Sequence, residues 1–237
     1  MSNVDFSGQT VVLTGVGRAG QVGEIVAKAF VDAGARLALI DRDEQVTARA
    51  DELARLGGSA AAHVCDLTNP DDVQAVASRI GSDSGGAIAA LVNLAGGFAM
   101  SGPVADSDPA VLHKQIAINL TTAYTATRAF LPLLRAGEGA IVFFASASVL
   151  PDGSAKNMSG YAAAKAGVLA LMRSVAAEEL GAVRANALAP TQIRTAENVA
   201  AMGQDAAYVE REAVAEAVLF LCSPASRHIT GQAIKLQ

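Results

Sequence analysis

The segment TVVLTGVGRAGQVG, residues 10–23, decides the fold that the sequence predicts. It opens with an apolar run typical of a buried strand, passes through a glycine-rich turn, and continues from Val22 with apolar residues at helical spacing. A strand, such a turn and a helix in this order bring unpaired backbone N–H groups and the positive end of a helix dipole to one point. The segment therefore predicts a phosphate-binding turn at the start of an α/β fold.

Outward from this segment, short apolar runs and longer segments of helical period keep alternating, which indicates βαβ units with a parallel sheet. The predicted strands are 10–15, 36–41, 61–66, 89–96, 140–146, 184–190 and 232–236. The predicted helices are 22–33, 43–56, 73–80, 109–135, 160–180 and 214–221. We expect one Rossmann-type domain over residues 1–237, a doubly wound parallel sheet of about seven strands with helices on both faces.

The composition limits the class of protein and its partners. With 51% hydrophobic and 17% charged residues, a chain of 237 residues can bury a large core as one domain. The net charge of −5 provides no basic stripe, which argues against nucleic acid and favours a small-molecule partner. Neither end carries a long apolar run or a cationic leader, so we expect no membrane contact and a cytoplasmic location. Cys65 and Cys222 lie far apart without CxxC spacing, so we predict neither a disulfide framework nor a metal site.

The glycine-rich turn contains a GxGxxG match at Gly15, Gly17 and Gly20. Alone this match is weak, because glycine-rich turns also simply connect elements. The context strengthens it, since a strand precedes the turn, a helix follows it, and Asp41 ends the next predicted strand. The sequence therefore predicts that the turn binds a dinucleotide.

Asp41 indicates which dinucleotide is bound. Its carboxylate can accept hydrogen bonds from the adenosine ribose hydroxyls, whereas a 2′-phosphate at that place would meet like-charge repulsion. This favours NAD over NADP. Two alternatives stay open: Asp41 caps the next turn, or Arg18 or Arg42 pairs with a phosphate.

Tyr161 and Lys165 stand four residues apart on a predicted helix, so their side chains share one face. A phenol titrates near about 10, and a nearby ammonium lowers that pKa toward the range in which a tyrosine can exchange protons at neutral pH. An isolated YxxxK is more often a partly buried tyrosine beside a solvated lysine. The pair predicts acid–base chemistry only together with other motifs.

Such motifs occur in a fixed order along almost the whole chain, which resembles the short-chain dehydrogenase/reductase family and most of all its 3-oxoacyl-(acyl-carrier-protein) reductase type. The matching marks are TG at Thr14-Gly15, CDL with Asp66-Leu67, NLAG at Asn93 to Gly96, Asn119 in INL, a serine after the fifth strand, Tyr161-xxx-Lys165, and RANALAP ending at Pro190.

The resemblance implies a catalytic role for four residues. Tyr161 would donate a proton to a carbonyl oxygen or remove one from a hydroxyl, and Lys165 would hold the nicotinamide ribose and lower the pKa of the phenol. A serine would hydrogen-bond the substrate oxygen, and Asn119 would seat a water that relays protons. The strand end favours Ser146 for that serine, whereas the family's usual spacing before the tyrosine favours Ser148.

The resemblance also implies contacts with the cofactor. Asp66 and Leu67 would meet the adenine, and Ile193 would offer its backbone to the carboxamide. The full predicted set is Gly15, Gly17, Arg18, Gly20, Gln21, Val22, Asp41, Arg42, Asp66, Leu67, Asn93, Ala95, Gly96, Tyr161, Lys165, Pro190, Ile193 and Thr195. The alternatives are a sheet-stabilising amide for Asn93, a turn residue for Thr195 and a helix-bending residue for Asn119.

The chain departs from the family pattern in two places. The glycine loop is two residues longer, with Gly23 as the helix-packing glycine and Gln21 where the middle glycine would align. Thr191 follows Pro190 in place of the usual glycine, and the segment 196–212 is short. We therefore expect an open substrate site or one that a neighbouring subunit completes.

The expected function is that of an oxidoreductase acting on a small carbonyl or secondary alcohol. A noncatalytic NAD-binding scaffold or sensor is the alternative, and an epimerase or dehydratase is a third reading. The helices predicted at 109–135 and 160–180 carry a second apolar face, which predicts a homodimer or homotetramer. Neither the substrate nor the direction of the reaction follows from the sequence.

Overall fold

Strands and helices alternate along residues 4–237, the part of the chain that the computed structural model describes. The strands are β1 Thr10–Thr14, β2 Arg36–Asp41, β3 Ser59–Val64, β4 Ala90–Asn93, β5 Ala140–Phe144, β6 Arg184–Pro190 and β7 Ala233–Leu236. The α-helices are α1 Val22–Asp32, α2 Gln45–Arg55, α3 Pro70–Asp83, α4 Pro109–Gln115, α5 Thr122–Ala136, α6 Ser159–Glu178, α7 Ala196–Met202 and α8 Arg211–Cys222.

The seven strands form one parallel sheet in the order β3-β2-β1-β4-β5-β6-β7. The chain builds outward from β1 through β2 to β3, then crosses to β4 on the other side of β1 and builds outward in the opposite direction. The loops that follow β1 and β4 therefore leave the sheet in different directions and open a crevice between them. The predicted doubly wound parallel sheet is confirmed.

The core lies on both faces of this sheet. Val11 and Leu13 pack in a cluster with Phe30 of α1, whereas Val12 belongs to a second cluster with Phe130 of α5. Successive strand side chains point to opposite faces, so an unbroken apolar strand needs helices on both sides. All of these side chains are fully buried.

The sequence signals that predict the start of a helix are confirmed at α3. The Asn69 side chain accepts the N–H of Asp71 at 3.1 Å, with Pro70 in the first turn of α3. The other predicted strands and helices are present with ends shifted by three residues or fewer, apart from 109–135. The short helix α7 was not predicted, because seven residues are too few to show a helical period.

The prediction of one continuous helix over 109–135 is wrong. A π-helical turn, Ile116–Thr121, separates α4 from α5. Inside it, the Asn119 amide donates to the Gln115 carbonyl at 3.1 Å, so a side chain competes for a carbonyl of the preceding turn. Asn119 thus makes the local hydrogen bond of the helix-bending alternative, and it also bonds Gly97 of the segment after β4.

The strands β4 and β5 also end earlier than predicted. After Asn93 the Ala95 N–H bonds to the Thr14 hydroxyl at 3.2 Å instead of to a neighbouring strand. After β5, Ser146 caps the 3₁₀ turn Ala147–Val149.

None of the helices in residues 4–237 combines the length and apolar character needed to span a bilayer.

Candidate active site

The predicted site residues gather at the edge of the sheet where the parallel strands end. The glycine loop follows β1, Asp41 ends β2, the segment 94–97 follows β4, and Ser146 follows β5. Helix α6 and the π-helical turn add their side chains from one face of the sheet.

The glycine loop requires glycine at its closest approaches. Gly15 has φ +73°, and a Cβ there would lie 2.5 Å from the Ala95 Cα. At Gly17 a Cβ would lie 3.2 Å from the Asp41 carboxylate carbon, and the Gly17 N–H donates to Asp41 Oδ2 at 2.8 Å. These contacts bring the backbone of the loop directly to the end of β2.

Charged side chains that the sequence reasoning missed hold the lengthened loop in place. The Gly20 N–H donates to Glu24 Oε2 at 2.5 Å, and the Gly20 carbonyl accepts from Arg211 of α8 at 2.9 Å. The Glu24 carboxylate also lies 3.6 Å from the buried guanidinium of Arg49 in α2. No sequence signal identifies Arg49, because a charged helix residue is ordinarily exposed.

The positions of the two arginines bear on the choice of cofactor. Arg18 pairs with Glu197 of α7 at 2.9 Å, and both side chains are more than half exposed. Arg42 lies near Asp66, where it contributes to a lowered pKa of that carboxyl after the stronger effect of the Thr68 hydrogen bonds. Arg18 therefore has an ion-pair partner in Glu197, whereas Arg42 has only a charge interaction with Asp66.

The adenine side of the predicted site consists of the turn after β3 and the end of β4. Asp66 accepts the backbone N–H and the hydroxyl of Thr68 at 2.9 and 2.7 Å. Leu67 is buried, and its carbonyl accepts the Thr125 hydroxyl. The Asn93 amide donates to Thr127 at 3.2 Å, while its Oδ1 is buried with no hydrogen-bond partner among the described residues.

Lys165 lies at the inner end of the crevice, with 7% of its surface exposed. Its Nζ donates to the Phe144 carbonyl at 2.7 Å and lies 5.8 Å from the centre of the Tyr161 ring. Burial lowers the pKa of Lys165 to about 8 and raises the pKa of Tyr161. Burial of the phenol therefore outweighs the Ser146 hydrogen bond that acts to lower its pKa, and the lowering expected from the Lys165 ammonium is not found.

Ser146 and Ser148 lie side by side, so the two sequence signals for the serine point to one place. The Ser146 and Ser148 hydroxyl oxygens are 2.9 Å apart, and the Ser148 N–H donates to Ser146 Oγ at 3.3 Å. The hydroxyl that hydrogen-bonds the Tyr161 phenol is that of Ser146, and this bond acts to lower the phenol pKa.

Asn119 is buried and connects the π-helical turn to the segment after β4. Its Oδ1 accepts the Gly97 N–H at 3.2 Å, and its Nδ2 donates to the Gly97 carbonyl at 2.9 Å. A Cβ on Gly96 would lie 2.6 Å from Asn119 Oδ1 and 3.5 Å from Lys165 Nζ. This close packing explains the glycine of NLAG and brings Asn119 near Lys165.

The segment after β6 forms the opposite wall. Pro190 is the buried last residue of β6. The Ile193 carbonyl accepts the N–H of Thr195 and the amide of Asn198, both at 2.8 Å. Thr195 is buried and caps α7 by accepting the Asn198 N–H at 3.2 Å. The Ile193 carbonyl and the Thr195 hydroxyl are thus engaged in holding α7.

The chemistry of these donors fits a nicotinamide dinucleotide. Gly15, Gly17 and Gly96 sit where a Cβ would be in close contact with its neighbours, so the backbone forms a tight cradle. Helix α1 begins next to this cradle, and Gln21 makes no side-chain cap there, which leaves first-turn N–H groups for a phosphate. Residues 4–237 contain no group of three or more His, Cys, Asp or Glu side chains suited to a metal ion.

A further side chain at this site, that of Phe98, has no signal in the sequence. Phe98 packs edge to face on Tyr161, with ring centres 5.1 Å apart and an angle of 86° between the rings. No motif marks this residue, because only the folded chain brings the segment after β4 onto α6.

Comparison with known proteins gives consistent matches over nearly the whole chain. Residues 15–236 match the family described as enoyl-(acyl carrier protein) reductase. The galactitol 2-dehydrogenase (L-tagatose-forming) of Cereibacter sphaeroides is 32% identical over 241 residues, which cover 95% of this chain and 92% of that protein.

Solved structures share both the fold and the sequence. A short-chain dehydrogenase from Mycobacterium smegmatis is 31% identical with a TM-score of 0.84, covering 98% of this chain and 92% of that one. A protein described as an NAD(P)-dependent gluconate 5-dehydrogenase from Beutenbergia cavernae, with NADP bound at low occupancy, is 30% identical with a TM-score of 0.86. That match covers 98% of this chain and 96% of the other.

Proposed function

The chain belongs to the short-chain dehydrogenase/reductase family, and from this premise we propose that Tyr161, Lys165, Ser146 and Asn119 form its catalytic group. The protein is an NAD(P)-dependent oxidoreductase that acts on CH–OH and C=O groups. The observation that carries the assignment of residues is that Lys165 and Ser146 lie next to Tyr161, with Asn119 packed against Gly96 beside Lys165. A noncatalytic scaffold is not favoured, because it would have no use for this arrangement.

Tyr161 is the proposed acid and base. In the reducing direction its phenol donates a proton to the substrate oxygen, and in the oxidising direction the phenolate accepts one. The raised pKa of Tyr161 keeps the phenol protonated at neutral pH, which suits the donor role. When bound, the nicotinamide supplies or accepts the hydride. Ser146 hydrogen-bonds the same oxygen and stabilises the charge that develops on it.

Lys165 and Asn119 support this proton transfer. A lysine with a pKa of about 8 changes protonation state close to neutral pH, so its amine can return a proton toward Tyr161. The Lys165 amine also stands next to Gly96, where it can hold a ribose hydroxyl. Asn119 keeps the segment after β4 in place and is proposed to seat a water that connects Lys165 with solvent.

NAD is the proposed cofactor, with NADP as the alternative. The support is the Asp41 carboxylate at the end of β2, which accepts the Gly17 N–H and carries the charge that disfavours a 2′-phosphate. The predicted cofactor residues that line the crevice, from Gly15 and Val22 at α1 to Pro190 at β6, are proposed as its contacts. Residues 1–237 are proposed to act as one domain.

The test of the proposed function is the Tyr161→Phe variant. It removes the proton donor and keeps the ring, so we expect kcat/KM over a panel of ketones to fall by about a hundredfold or more. NADH binding, followed by fluorescence titration, should stay within a few fold of wild type. Tyr124→Phe, at an exposed tyrosine of α5, serves as the matched control. Turnover of Tyr161→Phe at the wild-type rate would overturn the assignment.

A further inference from the structure

The segment that carries Phe98 is held at both ends. At its start, the buried Asn119 amide bonds both backbone groups of Gly97. At its far end, the Ser101 N–H donates to the Asn157 carbonyl at 2.8 Å, and the hydroxyls of Ser101 and Ser159 lie 3.2 Å apart. The chain between these anchors is therefore positioned against the start of α6, the helix that bears Tyr161.

Between the anchors the segment presents apolar side chains next to the phenol. The Phe98 ring packs edge to face on Tyr161, yet 59% of Phe98 is exposed, and Met100 two residues on is 53% exposed. The stretch GFAMSGPVA, residues 97–105, contains no charged group. Single exposed apolar residues are common on protein surfaces. Phe98 differs from such residues because its ring packs on Tyr161, the residue that is proposed to touch the substrate oxygen.

We propose that Phe98 is a specificity-determining residue, whose ring forms an apolar wall beside the reacting carbon and selects substrates that carry their carbonyl or hydroxyl on a flat apolar ring. The substrate class is that of cyclic ketones and the corresponding secondary alcohols. A flat ring covers the exposed Phe98 surface and can pair with it in edge-to-face or offset geometry. An open-chain polyol would bury hydroxyls against Phe98 and Met100 without hydrogen-bond partners there, which costs free energy.

This inference rests on the proposed function, in which Tyr161 marks the place of the substrate oxygen. The Ser146 and Tyr161 hydroxyls donate hydrogen bonds to a ketone oxygen at that place, so these two polar contacts lie at one end of the substrate. Phe98 would contact the part of the substrate next to the reacting oxygen. The site is thus divided into a hydroxyl-lined end and an apolar end.

The experiment compares 1-indanone, whose carbonyl lies on a flat apolar ring, with dihydroxyacetone in the wild type and in Phe98→Ala, with NADH present. We expect the wild type to prefer 1-indanone in kcat/KM. The substitution should lower that preference by about tenfold, mainly through KM, since part of a phenylalanine's burial is lost. Phe98→Leu should keep part of the preference. Phe220→Ala, at an exposed phenylalanine of α8, is the matched control and should leave it unchanged.

The outcomes separate this inference from the proposed function. If Phe98→Ala lowers kcat/KM equally for both ketones, the ring only positions Tyr161 and the inference is wrong. A wild-type preference for dihydroxyacetone also overturns it. A second readout avoids turnover: calorimetric titration of 1-indanone into Tyr161→Phe and Tyr161→Phe/Phe98→Ala, both loaded with NADH, should show about tenfold weaker binding to the second. Activity retained in Tyr161→Phe contradicts the proposed function alone.

Discussion

At the scale of single residues, the burial of two ionisable groups matters most. Lys165 and Tyr161 lie on one face of α6, and the same face packs against the sheet edge. Burial penalises the charged form of each group, so the pKa of Lys165 falls to about 8 while the pKa of Tyr161 rises. The pKa of Lys165 therefore lies below that of Tyr161, so an ammonium at Lys165 is acidic enough to return a proton to a Tyr161 phenolate.

Ser146 and Ser148 differ in their contact with the phenol, and this leads to a prediction. Ser146→Ala removes the hydrogen bond that lowers the pKa of Tyr161, so that pKa rises further and the ascending limb of the pH profile for alcohol oxidation moves to higher pH. We expect kcat to fall by about a hundredfold in this variant. Ser148→Ala should lose less than about tenfold, because its hydroxyl hydrogen-bonds Ser146 and has no other side-chain hydrogen bond within residues 4–237. Steady-state kinetics from pH 6 to 10 measures both, and a larger loss in Ser148→Ala would reverse the assignment of the two serines.

Asp41 carries a prediction about the cofactor. We expect NADH to bind wild type more tightly than NADPH. Asp41→Ala should shift the ratio of the two dissociation constants toward NADPH by about tenfold, since a charge repulsion of about 1.4 kcal/mol is removed. The exposed neighbour Asp43 provides the control variant Asp43→Ala. If NADPH binds wild type at least tenfold more tightly than NADH, the role given to Asp41 is wrong.

At the scale of elements, the site depends on where helices are interrupted and how closely they approach the strands. The π-helical turn Ile116–Thr121 directs Asn119 at Gly97 and interrupts what the sequence pattern predicts as one helix. Helix α1 approaches the glycine loop so closely that Gly23 is required: a Cβ there would lie 2.9 Å from Val16 Cγ1 and 3.0 Å from the Gly15 carbonyl oxygen.

Gly23→Ala tests this contact between α1 and the loop. Because the obstructing atoms include backbone, α1 must shift, and we expect a loss of about 1–3 kcal/mol in the free energy of unfolding together with weaker NADH binding. Gly20→Ala makes a useful comparison, since a Cβ there meets open space and the cost arises only from φ +73°, about 1 kcal/mol. Urea denaturation and NADH titration measure both quantities. Wild-type stability and affinity in Gly23→Ala would contradict the packing argument.

At the scale of the whole molecule, the outward face of α6 is the surface on which the expected association depends. Its outward face exposes the small side chains Ala163, Ala166 and Ala170, on which a second helix can approach closely. The corresponding face of α5 is more mixed, since Tyr124 and Arg128 are exposed there. The apolar surface predicted from the sequence is therefore broader on α6 than on α5.

We expect a homodimer or homotetramer that uses this face of α6. Ala166→Glu places a charge in the contact and should shift the protein toward the monomer, whereas Ala75→Glu, on the exposed face of α3, should not. Size-exclusion chromatography with light scattering gives the mass directly. A monomeric wild type at micromolar concentration would rule out the assembly.

Most of the fold and a good part of the proposed site could be read from the sequence, because the signals involved are local. The alternation of apolar runs and helical periods predicts the parallel sheet, and a spacing of four residues places Tyr161 and Lys165 on one helix face. The glycines near residue 15 mark a close backbone approach, and Asp41 marks the end of β2. Each of these signals lies within one element or between consecutive elements, where chain geometry alone relates the residues.

Only the tertiary structure decided the contacts between residues far apart along the chain. Three such features have no signature in any single segment. They are the pairing of Glu24 of α1 with Arg49 of α2 next to the glycine loop, the interruption of the helix at Asn119, and the packing of Phe98 on Tyr161. Burial is the common reason. Whether a side chain is desolvated, which carbonyl it reaches and how its pKa shifts depend on what packs against it from other elements, and that is settled only when the sheet and its two helical layers come together.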